Sequence, residues 1–215
     1  SDANIDLISK TLSPINLLNE IDLNVSDSLF QENVGRKGGA LALLGVDGEA
    51  RFTNTTFQSN TVSGGGQYGG AIWAPANGSS KAVDLIVDGC SFSGNSALGF
   101  GGAIRIGGET PTSAHGTLTV MNSHFESNDS DSSASGQGGA LSVHVGPSDL
   151  VSISNSSFTS NTSELDGAAI FVGQSGEMVI SGCTFTGNTG GGQANSYDRH
   201  GGAVYVYGAS SLTIG

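Results

Sequence analysis

Apolar residues alternate with polar ones in short bursts along this chain, and the bursts recur. Leu23 and Val25, Ala50 and Phe52, Leu85 and Val87, Leu118 and Val120, Val151 and Ile153, and Met178 and Ile180 form six such pairs. Period-two alternation marks a strand with one buried face. Five residues after the second member of each pair stands a phenylalanine, at positions 30, 57, 92, 125, 158 and 185. Between strand and phenylalanine lie Asp27, Asn54, Gly89, Asn122, Asn155 and Gly182. Only these residue types enter a left-handed backbone readily, so each unit is expected to turn there.

Three residues beyond each phenylalanine an asparagine recurs: Asn33, Asn60, Asn95, Asn128, Asn161 and Asn188. A glycine bend follows, starting at Gly38, Gly69, Gly101, Gly138, Gly167 and Gly201. Five bends read Gly-Gly-Ala, and the fifth reads Gly167-Ala168-Ala169. The first glycine is therefore expected to be required and the second replaceable. A new alternating strand then begins at Leu41, Ile72, Ile104, Leu141, Ile170 and Val204.

Each unit holds two clear strands and a short third around the phenylalanine. So small a unit cannot bury its apolar face alone and must stack on its neighbours. The pattern predicts an all-β, right-handed parallel β-helix of about six coils over residues 23–215. Rungs at ~4.8 Å would make it ~29 Å long. Residues 1–22 fit the repeat poorly and are expected to be a cap or a partial earlier coil. The repeat stops part-way through a unit after Leu212 and Ile214, as in a coil truncated from a longer array.

The ladder logic assigns most repeated residues to structure. Phe30, Phe57, Phe92, Phe125, Phe158 and Phe185 should stack inside, and the six asparagines should form an amide ladder at a corner. Cys90 and Cys183 share a column of small residues with Ser28, Thr55, Ser123 and Ser156, three coils apart. That separation, ~14 Å, is too long for a disulfide, so both thiols are expected to be reduced and buried.

After the bends, Ala42, Trp73, Arg105, Ser142, Phe171 and Tyr205 occupy the outward register. Trp73, Arg105, Phe171 and Tyr205 make this a candidate surface-binding row for a sugar or a partner, with Trp73 and Arg105 a candidate cation–π pair. The intervals between asparagine and bend vary in length and form one variable edge. The longest, 189–200, gathers Tyr197, Asp198, Arg199 and His200.

Composition narrows the function. The formal net charge is −12 with only seven Lys and Arg, which excludes the clustered cations that nucleic acid or an anionic membrane requires. No apolar run is long enough to span a bilayer as a helix. No catalytic, cofactor or metal site is expected, and the acidic "NDSDSS" stretch lacks spaced calcium ligands. Of the Asn-x-Ser/Thr sequons, Asn77, Asn54, Asn155 and Asn24 are glycosylation candidates, whereas Asn128 and Asn161 belong to the inward ladder.

Phe-x-x-Asn paired with Gly-Gly-Ala-(Ile/Leu/Val) resembles the repeats of chlamydial polymorphic outer-membrane proteins over about residues 22–215. The resemblance implies a surface-exposed right-handed β-helix that acts as an adhesin and assembles with other chains. The expected function is a non-enzymatic extracellular or cell-surface module, either an adhesin passenger or a filament or appendage subunit. Its partners would be other protein chains, by self-association or within a larger parent chain, and glycans. The alternative is a carbohydrate-active enzyme of pectate-lyase or polygalacturonase-like architecture. Such an enzyme needs converging carboxylates, and Asp84, Asp88, Asp149 and Asp198 lie in different registers.

Overall fold

The computed structural model describes residues 22–44, 48–63, 67–75, 83–108, 116–131, 136–191 and 200–215, with the backbone of Ala3–Asn4, Ile8–Ser9 and Ile15–Asn16. The chain is a parallel β-helix in which, among the described residues, every strand pairing is parallel and joins successive coils. The first ladder contains the apolar pairs, with Leu85 facing Leu118 and Val87 facing Val120 across adjacent rungs. A second, seven-stranded ladder centres on the phenylalanines. The last ladder follows the glycine bends, and the 12-residue strand Ile170–Ser181 runs through both it and the first, fusing them into one 14-stranded sheet. The three N-terminal strands pair with Leu23–Asn24, Leu29–Phe30 and Leu41–Ala42, adding a rung to three of the ladders.

One ladder is absent from the sequence reading. Two-residue strands follow each asparagine, from Val34–Gly35 to Thr189–Gly190, and form a six-stranded sheet. These residues, Ser96–Ala97 among them, are ladder and not insertion. A strand of two residues carries no period, so no hydropathy pattern announces it.

The inward row is closed. Both members of all six apolar pairs are buried, as are the first residues after five of the six bends. Phenylalanines 30 to 158 are buried and Phe185 is half-buried. Their centroids lie 4.7–5.0 Å apart with planes within 7°. Aromatic pairs generally prefer offset or edge-on contact. Here the rung spacing of the backbone dictates the stack, and Phe52 adds an edge-on contact to Phe57 at 5.6 Å.

Three left-handed positions shape each coil. Asp27, Asn54, Gly89, Asn122, Asn155 and Gly182 all have φ between 48° and 63°. The residue before each asparagine is also left-handed: Glu32, Ser59, Gly94, Ser127, Ser160 and Gly187. Glutamate and serine there conceal the turn, because neither residue is a left-handed specialist. The third is the first bend glycine, with φ from 59° to 71°.

The second bend glycine departs from expectation. A Cβ on Gly39, Gly70, Gly102 or Gly139 would lie 1.9–2.2 Å from a carbonyl oxygen of the next rung. Four of these glycines are therefore required by close backbone approach. Ala168 fills the same position in the fifth bend, with its methyl beside Gly190.

Both cysteines are free. Cys90 is buried, but Cys183 is only half-buried, since the last rungs are less covered. In their column each side chain bonds the carbonyl two residues earlier, as Ser123 Oγ does to Met121 at 2.7 Å. The Cys90 N–H donates to Ser123 Oγ at 3.1 Å. Burial pushes the Cys90 thiol up to about 11, so at pH 8 it is almost wholly protonated and a poor nucleophile. A thiol reagent such as DTNB at pH 8 should modify Cys183 well before Cys90. Equal rates in the folded chain would contradict this packing.

Candidate outer-face groove

The residues just before the glycine bends are Lys37, Tyr68, Phe100, Gln137, Asp166 and His200. Their carbonyls, from Tyr68 onward, accept the N–H of the preceding rung's glycine at 2.9–3.1 Å, which fixes them as a column. The left-handed glycine folds this column back over the strand that follows. A Cβ on Gly101 would sit 2.1 Å from the Ile104 carbonyl oxygen, which shows how tightly the bend closes.

The column covers the row that the alternation assigns to the surface. Arg105 is 2% exposed, Phe171 7%, Ala42 3% and Ser142 0%, while Trp73 and Tyr205 are half-buried. Trp73 and Arg105 face each other in the ladder but take other partners. Lys37 Nζ lies 4.7 Å from the Trp73 ring centroid and 5.0 Å from that of Tyr68. The Arg105 guanidinium lies over Phe100 at 5.0 Å and donates to Ser142 Oγ at 2.8 Å. Tyr68 bridges the two groups, stacking on Trp73 at 6.0 Å and on Phe100 at 5.7 Å. The row is thus one layer of a covered face, and the sequence pattern could not show the cover because it comes from loops.

Further along the face the cover opens. Two adjoining hollows, of about 380 and 680 Å³, share Gln137, His144 and Phe171 and form one groove. Its floor is built at a β-bulge. Val143 pairs with Val172 but His144 pairs with Gln174, so Gly173 is an extra residue. A Cβ there would lie 2.9 Å from His144 Nδ1 and 3.1 Å from Phe171 Cε1. Bulges re-aim side chains, and this one sets His144, Phe171 and Gln174 together in the groove. Burial, reinforced by the nearby Arg105 charge, lowers the His144 pKa, which keeps the imidazole neutral at pH 7.

At the far end Asp166 organises the wall. Its carboxylate accepts from Gln137 Nε2 at 3.2 Å and from the His200 N–H at 2.8 Å, and lies 3.3 Å from His200 Nδ1. The His200 ring stacks on Tyr205 at 5.0 Å, and Tyr205 meets Phe171 at 5.8 Å. Tyr197, Asp198 and Arg199 of the 189–200 segment, and Asn77, lie outside the described residues.

The other chemical candidates stand apart from the groove. His124 touches Ser157 Oγ and lies 3.5 Å from Glu126, but its side chain is 44% exposed and the glutamate's 53%. Water screens such a set. Asp149 is buried, accepting the N–H groups of Gly116 and Gly146, while Asp84 and Asp88 bond Thr117 and Asn122 on the first ladder's exterior. Asn54 and Asn155 are exposed and Asn24 is half-buried, whereas Asn128 and Asn161 are fully buried. Aromatics directly before glycine bends were the visible signal for the column. Gln174 and the bulge left none.

Among known proteins, the family model described as "Right handed beta helix region" matches residues 22–215. A 111-residue stretch, 50% of this chain, is 38% identical to the "Probable autotransporter YfaL" of Escherichia coli (strain K12). The chain spans 8% of the length of that relative. No solved structure matches significantly.

Proposed function

This chain belongs to the right-handed β-helix family, and on that premise we propose that it is a non-enzymatic, surface-exposed adhesive module. In this reading the rod projects from a cell or forms part of a larger extracellular assembly, with other protein chains stacked on it or beside it. The observation that carries the reading is the division of labour within each coil. The inward residues form unbroken ladders, while the chemically varied residues gather on one outer face. Rigid scaffolds with variable loops are suited to recognition. The similarity to a protein named as a probable autotransporter supports a surface setting.

A second reading, a carbohydrate-active enzyme, is favoured by one feature only: the Asp166–His200 pair beside Tyr205 in the groove. Antibody raised against the purified chain should label intact cells of the source organism, and beads coated with the chain should attach to host or neighbouring cells. Labelling only after permeabilisation would refute the surface role. Turnover of a polysaccharide that disappears with Asp166→Asn would favour the enzyme instead.

A further inference from the structure

The geometry points to the groove at the Gly173 bulge as a binding site for a neutral saccharide chain, a ligand class that would deepen the adhesive reading it rests on. Three aromatic rings line its larger hollow: Phe171, Tyr205 and the 78% exposed Tyr207. Aromatic faces receive the apolar C–H faces of pyranose rings, and the groove is large enough for more than one sugar. The same walls carry planar hydrogen-bonding groups, the amides of Gln137 and Gln174 and the imidazole of His144. Such groups match vicinal hydroxyls, which donate and accept side by side.

Two independent observations mark the site as more than a gap between loops. Gln174 Oε1 is a buried acceptor with no donor among the described residues. A buried amide oxygen carries a cost unless something bonds it, and a small turn of the Gln174 side chain, which lines the groove, would present it to a ligand hydroxyl. The bulge is the second, because an extra residue in a parallel ladder is rare and here falls at the groove floor. Parallel rungs also repeat at ~4.8 Å, close to the advance per sugar along an extended chain. The neutral class follows from charge: Asp166 and Arg105 line the groove with opposite signs, so no single-sign field favours a polyion, and the net charge of −12 on the chain disfavours a polyanion.

The test is calorimetric titration of the 215-residue chain with gluco-, manno- and galacto-configured neutral oligosaccharides, and with oligogalacturonate. At least one neutral series should bind. Tyr207→Ala and Gln174→Ala should each weaken it about tenfold or more, while Thr184→Ala on the phenylalanine face leaves it unchanged. Circular dichroism would verify that each variant is folded. Binding unmoved by both groove variants, or no neutral binding at all, would overturn the inference, and preference for the uronate would overturn the neutral class. Cell attachment without saccharide binding would sink this inference and leave the adhesive reading intact. Saccharide binding without attachment would do the reverse.

Discussion

Replacing Asn128 with leucine should cost roughly 2–6 kcal/mol and move the urea unfolding midpoint accordingly. Asn128 is fully buried at the centre of the amide ladder. Its Oδ1 accepts two bonds from Asn95, the backbone N–H at 3.1 Å and Nδ2 at 2.9 Å. Its Nδ2 donates to Asn161 Oδ1 at 2.9 Å and to the Phe92 carbonyl at 3.0 Å. Leucine matches the shape but supplies none of these bonds. Two donors of Asn95 are then left unpaired in a dry corner, at about 1–3 kcal/mol each. The loss should be local at first, since coils in a solenoid depend mainly on their neighbours. Hydrogen exchange should show the amides of Asn95 and Asn128 released ahead of those of the first ladder. A midpoint equal to that of the parent chain would refute the ladder as a source of stability.

Gly102→Ala should be comparably damaging, by roughly 3 kcal/mol or more, although it adds a single methyl group. That methyl would sit 2.1 Å from the Gly139 carbonyl oxygen and 2.5 Å from the Asp129 backbone nitrogen. Neither atom belongs to a flexible side chain, so relief requires separating two hydrogen-bonded rungs. The chain contains its own control in Ala168, which holds the same position opposite Gly190. Ala168→Gly should therefore cost only about 0.5–1 kcal/mol, the backbone-entropy difference between the two residues. Thermal unfolding followed by circular dichroism would compare the pair. Equal and small effects at both positions would mean that the rungs are not held at the spacing described here.

These two cases mark where sequence reasoning succeeds and fails. The asparagine ladder was legible because the same side chain recurs at the same place in every coil. The second glycine reads as replaceable because Ala168 stands there once, and only the carbonyls of the neighbouring rung show that four of the other positions admit no methyl. Likewise the outward row carried its aromatics in plain view, yet its exposure depended on residues folded over it from the variable edge.

Repetition is a property of sequence, and it alone determined the parallel β-helix, the inward rows, the left-handed Asp/Asn/Gly corner and the reduced cysteines. A coil that stacks on copies of itself has few alternative arrangements, so a repeated pattern nearly specifies the fold. The tertiary structure decided what no recurring side chain marks. The two-residue fourth ladder, the cover formed by Tyr68 and Phe100, and the bulge at Gly173 each depend on contacts between different coils. The candidate groove arises from that departure from periodicity, because an irregular rung exposes side chains that a regular one would cover or alternate away.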